Sequence, residues 1–178
     1  MVSTRVCGTL SQGSNPCRHP YFMDLVIQKT NSGRGVFAGR DFKAGEKILD
    51  FSGPILSREE LPSEILNPED DRFLQIDRDL FLGPSGKIDD LVNHSCDPNT
   101  AILIKNDQVS LWAIKNIKIG EEISYDYSLQ MFNEDWTMKC QCGTKNCRQI
   151  VREYRFLSQE IKDYYLKLGF VPLYNRDL

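Results

Sequence analysis

Asn93-His94-Ser95-Cys96-Asp97-Pro98-Asn99-Thr100 packs amides, an imidazole, hydroxyls, a thiol and a carboxylate into one short run. Leu91-Val92 precedes it and Ala101-Ile102-Leu103-Ile104 follows it. Polar groups held that tightly between apolar segments need partners if they are buried. Turn chemistry alone reads Asp97-Pro98-Asn99 as an Asx-rich turn before a strand. The rest of the chain decides whether the stretch is more than a turn.

The chain has 178 residues, enough for one domain with appendages and a real core. Its net charge is −3 and its pI near 5.5, which argues against nucleic acid as the main partner. No stretch approaches the length of uninterrupted apolar sequence that a membrane helix needs. No apolar run follows the first basic residue, so no secretory signal is expected and the location expected is intracellular. Residues 57–90 hold ten acids and four bases, whereas from Lys139 onward there are eight bases and four acids. That asymmetry reads either as a solvated charged face or as an acidic groove that attracts a basic peptide.

Six cysteines are present: Cys7, Cys17, Cys96, Cys140, Cys142 and Cys147. A bridge within Cys140-x-Cys142 would be strained. Three closely spaced thiolates plus one remote thiol instead fit a four-sulfur structural zinc site in a reducing compartment. Cys7, Cys17 and His19 match no metal spacing and are read as free groups in a Gly-, Ser- and Pro-rich N-terminal arm.

From Met23 short apolar runs alternate with Gly-containing turns, which predicts a β-rich fold rather than βαβ units. Ser32-Gly33-Arg34-Gly35 reads as a flexible turn before Val36-Phe37-Ala38, and Gly120-Glu121-Glu122 as a turn before Ile123. Residues 57–67 suggest a first helix that Pro62 limits to a turn or two. The best helix is at 158–168: Ser158 can cap it, Ile161, Tyr164, Tyr165 and Leu168 share a face, and Gly169 can end it. No internal repeat is evident.

Four motifs now stand in order: Ser32-Gly33-Arg34-Gly35, the heptad from Asn93 to Asn99, Gly120-Glu121-Glu122-Ile123-Ser124-Tyr125-Asp126-Tyr127, and Cys140-Gln141-Cys142 with Cys147-Arg148. Together they resemble the SET-domain protein lysine methyltransferases that carry a post-SET zinc module. The resemblance implies a SET-domain β-clip with a C-terminal pseudoknot, which sets Tyr125-Asp126-Tyr127 beside Asn93 and His94. It divides the chain into an N-terminal arm (1–21), a SET domain (22–128), a post-SET zinc segment (129–150) and a C-terminal helical tail (151–178).

It also implies roles. Ser32, Gly33, Arg34, Gly35, Asn93 and His94 would hold S-adenosylmethionine, the glycines by close backbone approach and His94 through backbone or ring. Cys96 would complete the zinc site with Cys140, Cys142 and Cys147. Tyr127 would orient the lysine amine, and Tyr125 would restrict the product mainly to monomethyl-lysine. The partner implied is a basic lysine-containing peptide, a histone tail first, without membrane or direct nucleic-acid binding. Phe132, Trp136, Phe156, Tyr164 and Phe170 would either close the lysine channel or lie in the core. The family often places arginine and an aromatic where Asp90 and Leu91 stand, and Glu-Tyr where Asp50-Phe51 stands. A catalytically idle SET module that binds zinc and a peptide is the alternative. A zinc-ribbon interaction domain explains the cysteines but not the Asn-His pair.

Overall fold

In the computed structural model, residues 24–62, 73–106, 108–133 and 135–176 are described. The N-terminal arm with Cys7, Cys17 and His19, and the far part of the helix expected at 57–67, lie outside them. Twelve strands and one α-helix make up the regular structure of the described residues. A hairpin of β1 (Leu25–Thr30) and β2 (Gly33–Ala38) opens the chain. β3 (Lys47–Asp50) and β4 (Ile55–Ser57) follow, then β5 (Leu74–Gln75) and β6 (Leu80–Leu82). β7 (Asn93–His94) is the opening half of the heptad. β8 (Thr100–Lys105) and β9 (Gln108–Ala113) form a hairpin, and β10 (Glu122–Tyr125) precedes Asp126-Tyr127. β11 (Thr137–Lys139), β12 (Ile150–Arg152) and α1 (Gln159–Leu168) complete the chain.

The strands form four small sheets in the orders β1-β2-β10-β7, β3-β9-β8, β4-β6-β5 and β11-β12. β10 decides the topology. It runs antiparallel to β2 through Ile123↔Val36 and parallel to β7 through Ser124↔Asn93 and Tyr125↔His94. A late segment is thus laid between two early ones, the arrangement of the expected pseudoknot. Asn99 helps to seat it: its Nδ2 donates to Glu122 O (2.8 Å) and its Oδ1 accepts from Ser124 N (3.1 Å), as a neighbouring strand would. Val36, Ile102, Leu111, Ile117 and Ile123 are almost wholly buried and form the core from which these sheets hang. A second cluster of Ala101, Leu129, Tyr154, Leu157, Tyr165 and Val171 fastens the C-terminal tail to the body.

Several local expectations shift. Gly33, Arg34 and Gly35 lie in β2 rather than in a turn; pairing of Thr30 with Gly33 leaves Asn31-Ser32 as a two-residue hairpin loop. At 57–67 the described residues show only a 3-10 turn, Arg58–Glu60, with Ser57 and Glu60 forming a capping box. In α1, Ser158 caps and Gly169 ends the helix in the left-handed conformation, as read. Only Tyr165 of its expected apolar face is buried, while Tyr164 and Leu168 stay exposed because they sit on one edge of the Ile161–Tyr165 stripe. Trp136 is core, but Phe156 is exposed and stacks under Arg152. Two turns also share one chemistry: Lys43 N donates to Glu46 Oε2 and Lys118 N to Glu121 Oε2, each at 3.0 Å. Phe42 and Ile117 bridge the two turns through paired backbone hydrogen bonds.

Candidate functional site

Pairing of β7 with β10 brings the Asn-His and Tyr-Asp-Tyr motifs into one cluster. Tyr127 is gripped from the β7 side: its N–H donates to His94 Nδ1 (3.2 Å) and its hydroxyl to Val92 O (3.0 Å). Its ring meets the His94 ring edge-on at 5.3 Å and lies 4.7 Å from Tyr125, which in turn packs edge-on against Phe51. The His94 side chain is only 3% exposed, and burial lowers its pKa to about 4 against the opposing pull of Asp126. A neutral ring that accepts at Nδ1 carries its proton on Nε2, and Nε2 faces Cys96 Sγ at 3.3 Å. The ring therefore points into the protein, toward the cysteines, which leaves the backbone as the route by which His94 meets a ligand.

Asn93 faces the other way. Its Nδ2 donates to Arg34 O (3.1 Å) and Glu122 Oε1 (2.7 Å), so both amide hydrogens are engaged. What remains for a ligand is Oδ1, an acceptor. Glu122 is a participant that sequence reading did not single out; its signal was its place in β10, one pleat from the tyrosine pair. Gly35 makes this junction possible, because a Cβ there would stand 2.5 Å from Glu122 Oε1 and 2.7 Å from Asn93 Nδ2.

Three cavities converge on these residues. One of about 780 Å³ is bordered by Ser32, Asn93, His94 and Ser95 and by Met138 to Cys142 of the cysteine-rich segment. Another of about 600 Å³ is bordered by Ser32, Arg34, Lys87, Asp90 and Asn93. The third holds only about 20 Å³ between Phe51, Leu74, Leu82, Val92 and Tyr125. Of all these residues, Tyr127 alone lines all three cavities. Gly33, with φ +112 and open space around it, shapes the β2 edge nearby.

Cys96, Cys140, Cys142 and Cys147 gather with all Sγ atoms within 4.8 Å of one another, although Cys96 is 44 residues from Cys140. The Cys96–Cys140 separation of 3.7 Å suits two thiolates on one tetrahedral zinc at about 2.3 Å from each sulfur. Each sulfur also has a hydrogen-bonding neighbour. Arg148 N donates to Cys96, Cys142 N to Cys140, Gln149 N to Cys147, and the Thr144 hydroxyl stands 3.2 Å from Cys142. Backbone donors aimed at sulfur favour the thiolate form, so the donor set fits a structural zinc. Arg148 extends the cluster toward the tyrosines through a two-pronged pair with Asp126 (2.9 and 2.6 Å), whose carboxylate is 1% exposed. Arg148 directly follows Cys147 in the sequence, and no local pattern points to its pairing with Asp126, 22 residues earlier.

Of the acids expected to form a groove, Glu64, Glu69, Asp70 and Asp71 lie outside the described residues, and most of the described ones are engaged locally. Glu60 caps its turn, Asp79 pairs with Arg58, Asp89 accepts from Ser52 and Ser85, and Asp90 from Ser85 and Gly86. No helix among the described residues is long and apolar enough to cross a membrane.

Comparison with known proteins agrees with this geometry. The variant-silencing SET domain-containing protein of Plasmodium falciparum is 33% identical over 151 residues, covering 75% of this chain and 6% of its own length. The histone-lysine N-methyltransferase ASHH3 of Arabidopsis thaliana is 32% identical over 143 residues, covering 74% of this chain and 39% of its own. The chain thus spans well under half the length of these relatives. Among solved structures, the methyltransferase domain of human histone-lysine N-methyltransferase SETMAR superposes with a TM-score of 0.60 at 24% identity, over 71% of this chain and 57% of that one. The SET domain family model matches residues 33–128, from the first glycine of β2 to the residue after Tyr127. That match takes in both strands that flank β10 and both tyrosines, and the chain belongs to the SET-domain family.

Proposed function

We propose that the protein is a protein lysine N-methyltransferase that uses S-adenosylmethionine. The observation that carries this reading is the position of Tyr127, at the meeting of two larger polar cavities and one narrow one walled by both apolar and acidic side chains. The polar side suits a cofactor held by Ser32, Gly33, Arg34, Gly35, Asn93 and the His94 backbone. The narrow side suits the stem of a lysine. The relatives named histone-lysine N-methyltransferases support the same chemistry. When bound, S-adenosylmethionine supplies a methyl group on a positively charged sulfur.

The chain's own residues align the amine and shield it from water, and the ammonium proton would leave to solvent before transfer. A free lysine has a pKa near ~10.4; Phe51, Leu74, Leu82 and Val92 along the narrow cavity disfavour its charged form, whereas Asp89 and Asp90, which line the same cavity, would attract it as a cation. The Tyr127 hydroxyl donates its proton to Val92 O, and toward a lysine amine its oxygen would act as the acceptor of an N–H. That contact would point the amine lone pair along the channel, and alignment of this kind carries much of the rate of a displacement. Tyr125, wedged between Phe51 and Tyr127, narrows the same space, so the product is mainly monomethyl-lysine.

The substrate proposed is a basic, flexible lysine-containing segment bound as an extended strand, histone tails first. A structural neighbour was solved with a histone H3 peptide. The post-SET segment, 129–150, would close the cofactor side through one zinc on Cys96, Cys140, Cys142 and Cys147. Incubation with labelled S-adenosylmethionine and core histones should label lysine in the wild type and not in Tyr127→Phe. Cofactor binding without transfer to any protein would instead identify an idle SET module. Tyr125→Phe should raise the share of dimethyl-lysine, and a wild type that yields chiefly trimethyl-lysine would refute the proposed limit.

A further inference from the structure

The last described turn, Leu173–Asn175, has no task in the reaction above, yet it is hydrogen-bonded to the two segments that carry Leu74 and Tyr127 into the narrow cavity. Tyr174 is buried, and its hydroxyl stands between two main-chain carbonyls, 2.9 Å from Gln75 O and 2.8 Å from Gln130 O. One phenolic proton serves two acceptors, so the group donates to one while held against the other. Burial keeps its pKa well above the usual tyrosine range, which preserves that proton.

The two carbonyls belong to two segments that each supply a residue lining the cavity, Leu74 and Tyr127. Gln75 is half of β5, and the other half, Leu74, lines the cavity. β5 is the edge strand of its sheet, paired to β6 on one side. Gln130 ends the turn that starts at Tyr127, and its N–H donates to Tyr127 O at 3.1 Å. Two neighbouring contacts reinforce the span: Asn175 Nδ2 donates to Leu129 O (2.8 Å), and Phe132 N donates to Gln75 Oε1 (2.9 Å).

We propose that Tyr174 is a positioning residue for the lysine channel. By bridging Gln75 and Gln130 it sets the distance between the Leu74 wall and the Tyr125–Tyr127 wall, and with it how many methyl groups the channel admits. The proposal rests on reading the narrow cavity as that channel. A space of about 20 Å³ is sensitive to a small outward movement of either wall.

Tyr174→Phe tests it, because the substitution deletes the hydroxyl and keeps the ring edge-on to Phe132. The full chain is given S-adenosylmethionine and a degenerate peptide library with one fixed lysine, and products are separated by mass. The expected result is a rise of about threefold in the dimethyl-to-monomethyl ratio with a changed peptide KM, as for the loss of one hydrogen bond. Affinity for S-adenosylmethionine should stay at the wild-type value, and Leu173→Ala, at an exposed position of the same turn, should leave the products unchanged. If Tyr174→Phe does not fold, Asn175→Ala loosens the same turn and takes the same readout. A folded variant with wild-type products and peptide KM overturns the proposal and leaves the channel reading intact. Equal losses of turnover and cofactor affinity with unchanged products overturn it as well. A wild type that methylates no member of the library overturns both.

Discussion

Two glycines two residues apart are held for different physical reasons. Gly33 has φ +112 and nothing within 4 Å of an added Cβ, so Gly33→Ala meets backbone strain alone. Gly35 has an ordinary φ, but an added Cβ would collide with Glu122 Oε1, Asn93 Nδ2 and Thr30 Cγ2. Gly35→Ala should therefore displace the Asn93 amide and weaken S-adenosylmethionine binding at least tenfold by calorimetry. Gly33→Ala should mainly lower the melting temperature, at a cost of about 1–2 kcal/mol. Glu122→Leu is the complementary change: it frees one Asn93 hydrogen, lets the amide turn, and should cost about 1–3 kcal/mol of cofactor binding. Equal cofactor affinity in Glu122→Leu and wild type would remove Glu122 from the site. The sequence pointed to the Gly-x-Gly pair and to Asn93, but two of the three side chains that an added Cβ at Gly35 would displace are 58 and 87 positions away, so no local pattern carries that contact.

β10 owes its position to partners on every side. β2 and β7 pair with it, Asn99 satisfies part of its backbone, and the Thr100 hydroxyl donates to Ser124 O at 2.7 Å. Just past its end, Asp126 meets Arg148 from the cysteine-rich segment, in a nearly dry setting. Removal of Arg148 would leave a buried carboxylate unpaired, at a cost of about 3–5 kcal/mol. Arg148→Met should thus lower stability sharply, whereas Asp126→Asn with Arg148→Met, which removes both charges, should recover much of the loss. Denaturant titration of the wild type and the two variants checks this; equal stability of the single and double variants would mean that the pair is not the source. The Gly120 turn, most strand positions and the α1 caps were legible because they depend on neighbours within a few residues, whereas the pairing that draws Gly33-Arg34-Gly35 into β2 was not. The burial of α1 was not, since which edge of its stripe meets the body depends on where Tyr154, Leu157 and Val171 come to rest.

Across the whole molecule, four sulfurs drawn from the heptad and from the β11–β12 hairpin join the cofactor side to the C-terminal third of the chain. A structural zinc contributes its binding energy directly to folding, about 10–16 kcal/mol in isolated zinc-finger peptides. The protein should contain one zinc per chain, and a strong chelator should raise hydrogen exchange in β11 and β12 and abolish methyl transfer. Cys142→Ser should reproduce both effects; retention of zinc and full protection by that variant would exclude Cys142 as a ligand. Sequence alone determined the β-rich class, the family resemblance and the residue types at the site, because glycine turns, apolar runs and cysteine spacing are properties of short segments. Tertiary structure decided that the His94 ring meets Cys96 and Tyr127, that Glu122 holds the Asn93 amide, that Arg148 pairs with Asp126, and that the tail is hydrogen-bonded to Gln75 and Gln130. Each of these depends on which distant groups share a buried space, and a side chain's partners there are set by the packing of the whole chain rather than by its neighbours along it.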